Sequence, residues 1–216
     1  MTSLHTSASQ GLPARALRTL TAIIVLMFAA PGCDIGLFTQ SARLGVAFDR
    51  TGSIQSDGLY VPMSAYKTVS LGDTGGDIAE RSIVSVTLGA IPPGANVTRV
   101  LLTLVKAAPF GNPYDDFGSI SVDHVDVVSG IAAAQFNGNT LTAAIATLAD
   151  DITSQTFELD VTSFVQADIA AGRPIASFRL QFNSAPSNDA SADRVFLSAD
   201  PDYPALQPFA TATFFP

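Results

Sequence analysis

From Val84 to Leu88, apolar side chains alternate with hydroxyls: Val84, Val86 and Leu88 are separated by Ser85 and Thr87. The same period of two returns at Val100, Leu102 and Leu104. It is cleanest at Ala176, Phe178, Leu180 and Phe182, with Ser177, Arg179 and Gln181 between them. Successive side chains of a strand point to opposite faces, so this pattern makes a strand with one face in a core; a helix would need a period near 3.6. The alternating runs are short and end in turn-formers such as Gly72-Asp73-Thr74-Gly75-Gly76-Asp77 and Pro92-Pro93-Gly94. Many short strands between turn signals read as an antiparallel β-sandwich or barrel.

Further strands are expected at Leu44–Phe48, Tyr66–Leu71, Ile120–Val128, Gln155–Asp160, Arg194–Ser198 and Phe209–Phe215. Near Asp123-His124 the apolar phase slips from Ile120/Val122 to Val125/Val127, which suggests a bulge. One helix is expected from Asp160 or Thr162, either of which can cap it, to Gly172. Its apolar stripe is Phe164, Val165 and Ile169. Ala107–Gly118 reads as a long polar loop. The Ala-rich stretch Ile131–Ala149 is left open between a helix and an edge strand at Thr140–Ile145.

The N-terminal residues do not belong to this pattern. Arg15 and Arg18 precede an apolar run, Leu20–Ala30, which leads to Ala30-Pro31-Gly32-Cys33. A positive region, an apolar core and small residues before a cleavage point make a secretory signal. The run is shorter than the roughly 20 residues a spanning helix requires. Its end resembles a bacterial lipobox, with Ala30 in the place usually held by leucine. The resemblance implies that Cys33 is lipidated and becomes the new N-terminus, anchoring the protein to a membrane of the cell envelope. Cys33 is the only cysteine, so no intrachain disulfide can form. The expected organisation is a signal peptide over 1–32, a tether over 33–44 and one β-sandwich domain over 45–216.

Without the leader the chain has 9 Lys+Arg against 19 Asp+Glu, a formal charge of −10. Phosphate backbones are bound by basic stripes, so this balance argues against a nucleic-acid partner. It is compatible with a solubilising surface or with divalent cations.

Three segments together resemble the DNRLRE domain family, sandwich domains similar to carbohydrate-binding modules. They are Ile91-Pro92-Pro93-Gly94-Ala95-Asn96-Val97 before Val100–Leu104, Asp160-Val161-Thr162-Ser163-Phe164-Val165, and Phe196-Leu197-Ser198 followed by Pro204-Ala205-Leu206. The resemblance covers about 45–216. It implies an all-β, jelly-roll-like antiparallel β-sandwich with one short helix, non-catalytic and associated with polysaccharide.

His124 lies in a strand beside Asp123 and Asp126 and reads as a surface or bulge histidine. With no Gly-x-Ser-x-Gly elbow and no His- or Cys-rich metal motif, an enzyme is not expected. Calcium takes six to eight oxygens from carboxylates, amides and carbonyls. Asp73 and Asp77, Asn112 with Asp115 and Asp116, and Asn188 with Asp189 and Asp193 sit in loops that could supply them; a structural calcium would draw on Asp73, Asp77, Asp115 and Asp116. A sugar packs its C–H face on an aromatic ring. The chain has no Trp, which leaves Tyr60, Tyr66, Tyr114 and Tyr203. Tyr114, among Asn112, Asp115 and Asp116, is the candidate ligand loop; the alternative is a loop tyrosine that anchors the loop to the sandwich. The expected function is an envelope lipoprotein that binds a polysaccharide or other surface ligand. The alternative is a structural or assembly protein acting through protein partners.

Overall fold

The computed structural model describes residues 38–63, 67–107, 109–127, 130–149, 155–198, 200 and 202–216. The leader, Cys33 and Tyr66 lie outside the described residues. The strands are β1 (Gln40–Leu44), β2 (Gly52–Gln55), β3 (Tyr60–Pro62), β4 (Thr68–Asp73), β5 (Ala79–Thr87), β6 (Asn96–Val105), β7 (Ile120–Val125), β8 (Thr140–Leu148), β9 (Thr156–Asp160), β10 (Ile175–Phe182), β11 (Arg194–Ser198) and β12 (Phe209–Phe215). The helices are α1 (Pro113–Phe117) and α2 (Thr162–Ala170).

Two antiparallel sheets pack face to face as a jelly-roll-like sandwich. The smaller runs β1-β12-β6-β9 and the larger β11-β4-β5-β10-β7-β8, with β2 paired to β5 and β3 to β2. The alternation seen in sequence decides which side chains fill the space between. Val84 and Val86 of β5, Ala176, Phe178 and Leu180 of β10, and Val100, Leu102 and Leu104 of β6 are all fully buried there. Burying a side chain of this kind contributes roughly 1.5–3 kcal/mol.

Several boundaries differ from expectation. Gln40–Leu44, expected as the end of a tether, is strand β1 and pairs with β12 from Gln40↔Phe214 to Leu44↔Ala210. Only Ala42 and Leu44 of this strand turn to the core, with Arg43 exposed between them, so its alternation is too short to mark it in sequence. The strand expected at Leu44–Phe48 reduces to a single bridge, Val46↔Val86, before a 3-10 turn at Phe48–Arg50. The loop Ala107–Gly118 contains α1, one helical turn with Pro113 at its start. Ile131–Ala149 resolves into a 3-10 turn at Ala133–Phe136 and the edge strand β8.

Helix α2 begins at Thr162, as expected, but Val161 holds the capping position, and neither Asp160 nor Thr162 caps the helix with its side chain. Asp160 Oδ1 accepts the Thr162 backbone N–H at 3.0 Å and the Thr162 hydroxyl at 2.5 Å. Thr162 Oγ1 in turn accepts the Val100 N–H at 2.8 Å, which ties the start of the helix to β6. Gly172 follows the helix at φ +69°, a left-handed position suited to glycine.

The phase slip in β7 has a different cause from the expected one. Its pairing with β10 is regular, from Ser177↔Val125 to Phe182↔Ile120. The irregularity is on the β8 side, where Val122↔Ala146 is followed by His124↔Thr142 and Val125↔Thr140. Extra residues therefore sit in β8, and Ala144 takes a φ of +52°. In β7, His124 keeps the core phase of Ile120 and Val122. Val125 belongs to a second small cluster with Ile54, Ile83 and Val127 on the outer face of the sheet.

Candidate functional site

The three acidic loops do converge at one end of the sandwich, where Asp73, Asp77, Asp189 and Asp193 accept hydrogen bonds from the protein itself. Asp73, fully buried, closes β4 beside the residue that precedes β11. Its Oδ1 accepts the Asp193 N–H at 3.0 Å, and its Oδ2 accepts the Ser187 N–H at 2.8 Å and hydroxyl at 2.9 Å. Asp193 Oδ1 accepts the Asn112 N–H at 2.6 Å, and Asp77 Oδ1 accepts the Ala190 N–H at 3.0 Å. The close approach demands glycine: a Cβ on Gly72 would strike the Asp193 carbonyl oxygen, and one on Gly111 would strike its carboxylate. Asp116 is exposed beside Asp193, Asp189 and Asp115. Desolvation first, then the neighbouring negative charges, raise its pKa above the usual carboxylate value.

Of Asp73, Asp77, Asp115 and Asp116, Asp73 is fully buried with both carboxylate oxygens hydrogen-bonded, while Asp115 and Asp116 are exposed on α1. Among the described residues no group of three or more His, Cys, Asp or Glu side chains is placed to hold a metal ion. Nor is Tyr114 an exposed platform. Its ring packs edge-on against Phe182, at 5.6 Å between centroids and 81° between planes, and anchors α1 to the core.

His124 is not a surface residue either. It is 2% exposed, with its ring between Phe164 and Phe178. Its Nε2 lies 2.9 Å from Asp168 Oδ2, and Asp168 Oδ1 accepts from Arg173 Nη1 at 3.0 Å. The group joins α2 to the larger sheet. Asp168 gave no warning in sequence, because a carboxylate in the middle of a helix usually faces solvent.

Two further arrangements were not anticipated. On the outer face of the larger sheet, Arg179 donates to Asp123 Oδ2 at 2.7 Å, to Thr140 Oγ1 at 2.8 Å, and to the carbonyls of Gln135 and Gly138, each at 3.0 Å. Asp123 Oδ1 accepts the Ala144 N–H at 2.8 Å. Arg81 stacks on Phe136, 4.1 Å from the ring centroid, and donates to Asn137 Oδ1 at 2.7 Å. Burial, followed by repulsion from Arg179, lowers its pKa to about 10. Together the two arginines fasten the segment around Ala133–Phe136 over the sheet.

Beside that segment, on the same face, lies a cleft of about 510 Å³. Val46, Val125, Val127 and Ile175 form its apolar walls, with Thr87 and Ser177 among the lining residues. Phe48 stands at its side, 37% exposed. Arg50 Nη1 donates to the Val127 carbonyl at 3.0 Å while its Nε contacts Asp49 at 3.1 Å. Arg173, which already holds Asp168, has its Nε 3.4 Å from Asp126. The cleft therefore offers an aromatic ring and two carboxylate–guanidinium pairs. A Phe-Asp-Arg turn following a strand was a legible signal. The opposite wall, contributed from 125–127 and 173–175, was not.

No family model and no curated protein matches the chain.

Proposed function

We propose that this is a non-catalytic, lipid-anchored protein of the cell envelope whose sandwich binds a polysaccharide, or another hydroxyl-rich surface ligand, in the Phe48 cleft. The observation that carries the reading is the exposed Phe48 ring among Asp49–Arg50 and Asp126–Arg173 at an apolar cleft of ligand size. A sugar ring has a C–H face that packs on an aromatic and a rim of hydroxyls that both donate and accept. A carboxylate beside a guanidinium supplies an acceptor and a donor side by side. The formal charges of the four groups cancel, which suits a neutral glycan. The resemblance to DNRLRE domains supports the same class of ligand. In this reading the site is the Phe48 cleft, and the Tyr114 loop is a structural corner.

The test is a panel of immobilised polysaccharides probed with the purified protein and with Phe48→Ala. Binding by the wild type, lost or weakened at least several-fold in Phe48→Ala, is the expected outcome. Binding that is unchanged in the variant would move the site elsewhere, and no binding across the panel would remove the reading.

A further inference from the structure

The sandwich has strand edges at β1 and β9 in the smaller sheet and at β11, β8 and β3 in the larger one. An open edge is a template for another strand, and charged side chains or proline blunt it. β1 carries Arg43, β3 ends at Pro62, β9 carries Glu158 and Asp160, and β11 begins with Arg194. The nine residues of β8, Thr140-Leu141-Thr142-Ala143-Ala144-Ile145-Ala146-Thr147-Leu148, include no charged residue and no proline, and the strand's one guard is the bulge at Ala144. Among the described residues no strand pairs with its outer side. Thr140 to Ala144 and Thr147 are exposed, Leu141 by 40%. The whole stretch 131–149 is free of charge in a chain with 19 acidic residues.

We propose that β8 is a self-association edge, at which two copies of this chain join their larger sheets by antiparallel β8–β8 pairing about a twofold axis. The charge distribution makes β8 the face at which two copies of this acidic chain meet at least cost. Two bodies of net negative charge repel, and that cost is lowest where the facing surface carries none. Antiparallel pairing with its own mate is isologous, so each residue meets a residue of the same strand. In a pairing centred on Ala144, Leu141 faces Thr147 and Thr142 faces Ala146, and no like charges meet. The bulge at Ala144, whose N–H is turned inward to Asp123, limits the ladder to a short run on either side. Association is therefore weak and concentration-dependent. A twofold axis through such a pairing stands perpendicular to the sheet, so both outer faces point the same way. If the cleft reading holds, the dimer presents two clefts to one polymer and gains avidity. The self-association itself does not depend on that reading.

Sedimentation equilibrium of the purified full chain in density-matched detergent tests it. The wild type should pass from monomer to dimer as concentration rises. Leu141→Lys and Thr147→Lys alter exposed side chains, and each should raise the dissociation constant roughly tenfold or more by putting on the edge a charge that pairing would bring against an uncharged side chain of the mate. Tyr203→Lys, exposed elsewhere, should leave it unchanged. A wild type that stays monomeric at every concentration would overturn the proposal. So would a dimer that neither β8 lysine variant weakens while far-UV circular dichroism shows both folded.

Discussion

Arg179 occupies an outward-facing position of a strand and is nonetheless only 3% exposed. Its guanidinium is surrounded by Asp123, the Thr140 hydroxyl and backbone carbonyls, so one residue satisfies groups from three segments of the chain. Breaking a buried ion pair from one side leaves an uncompensated charge, which typically costs about 3–5 kcal/mol. Arg179→Met should lower the unfolding free energy by about that amount in a urea titration, because Asp123 would remain buried without its partner. The alternation Ala176–Phe182 was enough to place Arg179 on the face opposite the core. It could not show that this face is covered, because the cover arrives from 133–140, some forty residues earlier in the chain.

At the scale of elements, α2 is held at its start by local chemistry. Asp160 accepts from both the N–H and the hydroxyl of Thr162, and these bonds lower its pKa below the usual carboxylate value. A depressed carboxyl contributes stability that is fully present above its unfolded pKa of about 3.9 and is lost as pH falls through its folded pKa. Asp160→Ala should therefore destabilise the protein at neutral pH by about 1 kcal/mol, the typical net contribution of a hydrogen bond. Thermal melts should show that difference shrinking in strong acid, where wild-type Asp160 is protonated as well. A difference that stayed constant through the acid range would mean that the bond to the ionised carboxylate is not its source. The start of this element was legible from Asp160-Val161-Thr162 because the bonds that hold it span two residues, although Val161 and not Asp160 or Thr162 takes the capping position. The bulge in β8 was not legible: it is set by the register against β7 and by the bond from Ala144 to Asp123, and neither is local.

For the whole molecule, residues 37–216 form one compact unit, and the anchoring proposal concerns what precedes it. Acyl chains contribute roughly 0.8 kcal/mol per buried CH₂, so a lipidated Cys33 would hold the protein firmly on a membrane. Wild-type protein should fractionate with membranes and carry an acyl mass at Cys33, and Cys33→Ser should move to the soluble fraction. Membrane retention of Cys33→Ser, together with no acyl mass on the wild type, would refute the anchor and leave the sandwich intact as a separate question.

The sequence by itself determined the antiparallel sandwich, the place of α2 and the face that β5, β6 and β10 turn to the core. Those properties follow from the two-residue period of a strand and from caps and turns that act within a few residues. Tertiary structure decided the functional geography. It turned Tyr114 inward against Phe182 and spent the oxygens of Asp73 on backbone N–H groups. It buried His124 against Asp168 and brought Phe48 to the cleft shared with Arg173. Each of these outcomes depends on which distant segments meet, and side chains of the same type read alike in sequence whether the fold covers them or leaves them in water.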